Sequence, residues 1–236
     1  VNSDHLDHQE VQAVLEIAKE LTEENRLIEM DILYKIARRR LELEGETLLS
    51  IIDLLQRNKI LVEGSKLVKS QVLLNPYRSQ IYDFIKTYPG VHFSVIKREI
   101  FDENDENSSS TGQFIWHLEI LLKFDFIKRV EVKNYSLFLP KEMEDEFGTY
   151  FFLLRDRINK KIIKLLNKEE SFALARIPDK ILETKGSVYY HVKTLEENDL
   201  VETFESQISG NKQARVNAEK SGLFSQMIKT IENERF

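Results

Sequence analysis

KGSVYYHVKTLEENDLVETFE, residues 185–205, carries the reading of the fold, because the chain says it nearly twice. Residues 111–131, 74 positions earlier, read TGQFIWHLEILLKFDFIKRVE. Laid together, Gly112 meets Gly186, Trp116 meets Tyr190 and His117 meets His191. Leu118 then meets Val192, Leu121 meets Leu195, Asp125 meets Asp199, and Phe126-Ile127 meets Leu200-Val201. Upstream the offset becomes 81: Ile81, Phe84, Ile85, Ile96 and Ile100 meet Ile162, Leu165, Leu166, Ile177 and Ile181. The acidic loop DENDENSSS (102–110), absent from the second copy, accounts for the change. An internal repeat interrupted by a loop-sized insertion indicates a duplicated supersecondary unit.

In the later copy, residues 154–167 place Leu154, Ile158, Ile162, Leu165 and Leu166 on one helical stripe. Residues 173–182 predict a second, short helix with Pro178 in its first turn. Thr184 suits the N-cap of a third helix running to about Asn198. LVETFES and ARVN then read as strands about the turn ISGNKQ. The earlier copy repeats the order: Asn75-Pro76 opens a helix ended by Pro89-Gly90, and 92–100 and 110–123 supply the next two. FIKRVEV and YSLFLP follow as strands about Lys133-Asn134, and Pro140 closes the unit.

A fainter third copy precedes both. Residues 8–22, 29–43 and 45–59 predict three amphipathic helices, and ILVEGSKLVK (60–69) predicts a strand, a Gly turn and a strand. It aligns with the middle unit at an offset of 67 through Gly45, Leu54 and Ile60. Three helices with a C-terminal β-hairpin make a winged helix-turn-helix. The expected fold class is mainly α with small β-hairpin wings (α+β): three tandem winged-helix domains plus a C-terminal helix. The expected boundaries are 1–70, 71–144, 145–217 and 218–236.

The residues also resemble a family. NPYRSQIYDFIKTYPGVHFSVIKREI (75–100) with STGQFIWHLEILLKFDFIK (110–128) is similar to the winged-helix domains of archaeal transcription regulators. KGSVYYHVKTLEENDLV (185–201) resembles the third helix and first wing strand of the ArsR-like and MarR-like winged-helix superfamily. The resemblance implies a DNA-binding regulator. Leu223, Met227, Ile228 and Ile231 lie on one face of the last predicted helix, which either packs on its own domain or pairs between chains. Regulators of this kind often dimerise through terminal helices, so these four are the expected dimerisation residues of a homodimer, with self-packing the alternative.

Composition narrows the chemistry. There are no cysteines among 236 residues, which removes thiolate metal sites, disulfides and a Cys nucleophile and fits a reducing, cytoplasmic setting. No phosphate-binding loop or nucleophile elbow appears, so a non-enzymatic protein without a cofactor or metal is expected. His5 and His8, near Asp4 and Asp7, read as a frayed terminus. No apolar run approaches a membrane span, so no membrane insertion is expected. The net charge is −6. Residues 1–74 hold 10 Lys/Arg against 14 Asp/Glu, 75–144 hold 9 against 11, and 145–236 hold 15 against 15. Phosphate binding needs basic surface, so the C-terminal part is the place for double-stranded DNA.

Within that part, a third helix entering the major groove presents Lys185, Ser187, Tyr189, Tyr190 and Lys193, and its wing presents Asn211, Lys212, Gln213 and Arg215. The middle unit offers Ser110, Thr111 and Gln113 with wing cations Lys128, Arg129 and Lys133. Asp102, Glu103, Asp105 and Glu106 stand just before it and oppose phosphate. Trp116, the sole tryptophan, reads as a half-buried structural aromatic, and His117 and His191 read as helix histidines packed on their own domain. The acidic first unit suits a protein partner. The alternative for the whole chain is a scaffold of tandem winged helices, like subunits of the ESCRT machinery or of general transcription complexes, that binds protein rather than DNA.

Overall fold

The computed structural model describes residues 6–100, 111–207 and 210–234. The chain is mainly α-helical with two small antiparallel sheets. It begins with α1 (Gln9–Glu23), α2 (Met30–Leu41), α3 (Gly45–Arg57), a one-turn α4 (Lys69–Val72) and α5 (Pro76–Thr87). Next come β1 (Val91–His92), α6 (Phe93–Ile100), α7 (Thr111–Lys123), β2 (Ile127–Val132) and β3 (Tyr135–Pro140). The remainder is α8 (Glu146–Arg155), α9 (Arg157–Leu166), β4 (Phe172–Ala173), a 3-10 turn (Leu174–Arg176), α10 (Ile177–Ile181), α11 (Lys185–Glu197), β5 (Val201–Glu205), β6 (Lys212–Val216) and α12 (Ser221–Glu232). Two compact units result: Val1–Asp83 with Ile100–Lys128, and Phe84–Glu99 with Arg129–Phe236.

In the first unit, the apolar faces of α1, α2 and α3 meet in a core that includes Val14, Ala18, Leu33, Ala37, Leu48 and Leu55, all fully buried. The strands expected over 60–69 do not form. Gly64 N donates to Ile28 O and Ile28 N to Ser65 O, both at 2.8 Å, so the loop's backbone groups pair with the α1–α2 connection instead. Only one rung of a hairpin remains, Lys69 N to Ile60 O at 3.0 Å. Buried backbone groups require partners but not a particular ladder, and alternation in the sequence does not reveal which partner wins.

In the second unit, β1–β3–β2 and β4–β6–β5 each form a three-stranded sheet. Val91 pairs with Phe138 and His92 with Leu137; Phe172 pairs with Ala214 and Ala173 with Gln213. Gly90 precedes β1 at φ +70°, and a Cβ there would stand 2.7 Å from Phe151 Cβ, so only glycine fits. The helix expected over 154–167 is broken at Asp156. Its backbone turns extended, and its carboxylate caps α9 by accepting from Ile158 N and Asn159 N, both at 2.9 Å. β6 starts at Lys212, so Lys212 and Gln213 belong to a strand rather than to the turn.

Of the two readings of the last helix, the packing of its apolar face supports the one within its own chain. Met227, Ile228 and Ile231 are buried in the same core as Leu154, Ile162 and Leu195, and Leu223 packs against its edge. The face of α12 read as a seam between chains is filled by this chain's own α8 and α9. An apolar stripe of that width serves either purpose, and the sequence alone does not say which.

The ends of α3, α7 and α11 share one geometry, which α1 also shows: Asn25 has φ 59°, and Arg26 N bonds Leu21 O at 2.9 Å. Lys59, Asp125 and Asp199 adopt left-handed φ of 53°, 54° and 61° just past α3, α7 and α11. Each following residue (Ile60, Phe126, Leu200) returns its N–H to Leu55, Leu121 or Leu195 at 2.9–3.0 Å. The left-handed residue bonds Gln56, Leu122 or Glu196 at 2.9–3.1 Å, completing a Schellman closure. This geometry sets the first offset at 66 rather than 67. Leu48, Phe114 and Val188 then coincide, as do Ile52, Leu118 and Val192, and all six are buried. The turn into the third helix also recurs: Glu42 and Leu182, at φ 50° and 57°, end α2 and α10 two residues before the N-caps Glu44 and Thr184.

Candidate nucleic-acid interface

Three structural devices aim α11. Thr184 caps it by accepting from Ser187 N at 3.4 Å. Glu183, in the turn before it, is held by Lys161 and Arg157 of α9, each at 2.8 Å. The hydrogen bond from Lys161, with the charge of Arg157, keeps the Glu183 carboxyl below its ordinary pKa. On the inner side Val188, Val192 and Leu195 are buried. The outward stripe is therefore Lys185, Gly186, Tyr189, Tyr190 and Lys193, all exposed, with Ser187 half-buried at its edge. Lys185 Nζ lies 5.6 Å from the centre of the Tyr189 ring, Tyr190 is 61% exposed, and Lys193 stands 3.7 Å from Glu197 one turn on.

The corresponding stripes of the other two helices differ in chemistry. On α7 it is Thr111, Gly112, Ile115, Trp116 and Glu119; on α3 the exposed side chains include Glu46, Leu49, Ser50 and Asp53. Residues 185–193 carry two lysines and no carboxylate, 111–119 one carboxylate and no cation, and 45–53 two carboxylates and no cation. Thr111 and Gln113 are exposed as expected, whereas Ser110 and the acidic residues 102–106 lie outside the described residues. Trp116 departs from the half-buried expectation: it is 52% exposed, with the Arg78 guanidinium 5.7 Å from its ring. Among the expected wing cations of the middle unit, Arg129 pairs with Glu131 at 3.3 Å, Lys133 lies 5.8 Å over Phe152, and Lys128 is half-buried.

The β5–β6 wing is less cationic than its tip residues suggest. Strand register sets Glu202 opposite Arg215 and Glu205 opposite Lys212. Arg215 donates from Nε and Nη2 to Glu202 at 2.9 and 2.7 Å and packs 5.1 Å over Phe204. Arg215 is thus paired across the hairpin at an exposed position. Asn211 and Lys212 remain exposed, and Gln213 is half-buried.

Both third-helix histidines pack inward, but on different partners. His191 Nδ1 lies 2.9 Å from Asn159 Oδ1 and 3.5 Å from Asp156. Buried Asn159 gives its amide N–H to Leu153 O at 2.9 Å, which leaves Oδ1 as the acceptor for His191. In the earlier copy Asn75 takes the cap position, accepting from Arg78 N at 3.2 Å, and Arg78 takes that of Asn159. Buried Arg78 donates from Nε to Val72 O, again six residues upstream, at 2.5 Å. His117 is buried with no hydrogen-bond partner at either ring nitrogen and packs 5.7 Å from Tyr77. Burial first, and then the Arg78 charge, hold its pKa below the ordinary histidine value. Sequence reasoning missed this clamp beneath the third helix. Its signal was an Asx cap with a long polar side chain three residues on, Asn75/Arg78 and Asp156/Asn159.

Among the described residues, no group of three or more His, Asp or Glu side chains is arranged to hold a metal ion, and no helix is long and apolar enough to cross a membrane. No family model matches the chain. The chain is 28% identical over 146 residues to an uncharacterized HTH-type transcriptional regulator of Methanocaldococcus jannaschii. That match takes in 62% of this chain and 35% of the length of that protein.

Proposed function

We propose that the chain is a non-catalytic, cytoplasmic transcription regulator built of tandem winged helices, in which α11 enters the major groove of duplex DNA. The observation that carries this reading is the outward stripe of α11: two lysines and two tyrosines, with no carboxylate over its first nine residues. Lysines supply the phosphate attraction that dominates affinity, tyrosine hydroxyls donate to phosphate, and Ser187 can bond a base edge. The similarity to an HTH-type transcriptional regulator supports the same assignment. Because Arg215 is engaged by Glu202, the helix is the main contact and Lys212 a secondary one.

The division into units over 1–70, 71–144 and 145–217 belongs to this proposal, the first with no wing strand among its described residues. Its support is that Leu48, Phe114 and Val188, and likewise Ile52, Leu118 and Val192, are buried at matching positions of α3, α7 and α11. A protein-binding role suits the first unit, whose α3 exposes Leu49 (57%) among carboxylates that repel phosphate. Titration against random duplex DNA at several salt concentrations tests the reading. Affinity should fall as salt rises, and Lys185→Glu with Lys193→Glu should abolish binding, while Glu119→Ala on α7 leaves it unchanged. Absence of binding at low salt, or full affinity in the double variant, overturns the assignment and favours the scaffold alternative.

A further inference from the structure

Behind α11 lies an open cleft of about 340 Å³, within the range of small-molecule sites. Its lining carries both charges: Lys133, at the β2–β3 turn, and Asp156, between α8 and α9, which has His191 Nδ1 3.5 Å away. Phe152 and Tyr190 supply aromatic surface, and His191 and Thr194 of α11 complete the lining. Among the described residues Lys133 has no carboxylate within ion-pair distance; its ammonium rests on the Phe152 ring instead. Lys133 holds φ +55°, a left-handed conformation that Asn or Gly adopts more readily, so the turn retains a lysine against local preference. Asp156 Oδ1 is taken by the α9 cap, and the carboxylate as a whole is exposed.

We propose that this cleft binds a free α-amino acid with an apolar side chain. Its carboxylate would meet Lys133, its ammonium Asp156, and its side chain the Phe152 and Tyr190 rings. A cation and an anion lining one cleft together with aromatic surface match a zwitterion and penalise a ligand lacking either charge, because one lining group is then desolvated without a partner. Tyr190 and His191 belong to α11, so occupancy bears on the helix assigned above to DNA. The binding itself is independent of that assignment and is measured without DNA.

The test is calorimetric titration of the full chain with L-phenylalanine and L-leucine, alongside 3-phenylpropionate, which lacks the ammonium, and phenethylamine, which lacks the carboxylate. The amino acids should bind, and each singly charged analogue should bind about tenfold more weakly or worse. Two variants preserve the fold. Asp156→Asn keeps an N-capping side chain, and Lys133→Asn favours the left-handed turn. Asp156→Asn should erase the preference for an ammonium and Lys133→Asn the preference for a carboxylate. No heat from either amino acid at millimolar concentration overturns the proposal. So does equal binding of all four compounds, or selectivity that survives both substitutions.

Discussion

His117 and His191 hold equivalent positions in the repeat, yet one is an orphan and the other is partnered, because Arg78 stands where Asn159 does. A protonated His117 would be a cation buried beside Arg78. The sign of the effect follows from the direction of the shift. The folded pKa lies below the ordinary 6.5, so the unfolded chain takes the proton first as pH falls. Stability from the neutral ring is complete above 6.5 and declines as pH drops through that value toward the folded pKa. His117→Ile, matching Ile51 of the first unit, should remove this dependence. It should also stabilise by about 1–2 kcal/mol at pH 7, since no buried nitrogen is left unpaired. Urea unfolding at pH 7.5 and 5.5 measures both, and parallel pH slopes for the two proteins would refute the account. Arg155 presents the opposite case, a fully engaged side chain. It gives Nη1 to Gly90 O at 2.6 Å, Nη2 to Pro89 O at 2.9 Å, and pairs with Glu234 at 2.6 Å. Arg155→Ala should destabilise by about 2–3 kcal/mol. Gly90→Ala should destabilise by well over about 1 kcal/mol, from positive φ and the Phe151 contact together. Thermal or chemical denaturation reads both, and a loss within experimental error in either would show the contact to be dispensable.

At the level of elements, α3, α7 and α11 share a Schellman end and a buried inner face, and the chemistry of their outer stripes differs. The left-handed residue after it invites a paired test. Lys59→Gly relieves a non-glycine αL position and should stabilise by up to about 1 kcal/mol. Asp199→Gly relieves the same strain but loses the bond from Lys220 Nζ at 3.0 Å, so the gain should vanish or reverse. The Lys220 bond also keeps the Asp199 carboxyl below its ordinary pKa, so that contribution is lost as pH falls through the folded value. Melting temperatures of the two variants decide; equal gains would mean that the Lys220 pair contributes nothing. The third helices and the β5–β6 hairpin were legible in the sequence because burial periodicity and turn residues are local signals. The 60–69 segment was not, because Ile28, a distant residue, captures its backbone bonds. The pairing across the wing was not legible for a related reason: only strand register reveals that Glu202 meets Arg215. The clamp of Arg78 and Asn159 on carbonyls six residues back was missed because the break at Asp156, inside one continuous apolar stripe, was not placed.

For the molecule as a whole, the total charge of −6 argues weakly against DNA and its distribution argues for one face. On the proposed reading, the two α11 lysines and Lys212 make a small phosphate footprint, so the salt dependence should be modest for a DNA binder. Lys212→Gln should lower the slope of log affinity against log salt by about 1. The role of α12 bears on how many such footprints act together. If α12 were a seam between chains, a charge on its apolar face would split a dimer and leave a folded monomer. With Met227 and Ile231 buried against α8 and α9, the same charge lies within the core of the second unit. Met227→Asp should therefore destabilise that unit by about 3 kcal/mol or more, because an unpaired carboxylate has no partner there. Circular dichroism during thermal unfolding reports stability, and sedimentation at matched concentrations reports association. Loss of fold without an intervening stable monomer fits the packing described here. A variant that sediments as a folded monomer, where the parent sediments as a dimer, would return α12 to the role of a dimer seam. DNA contact would then come from two α11 helices at once.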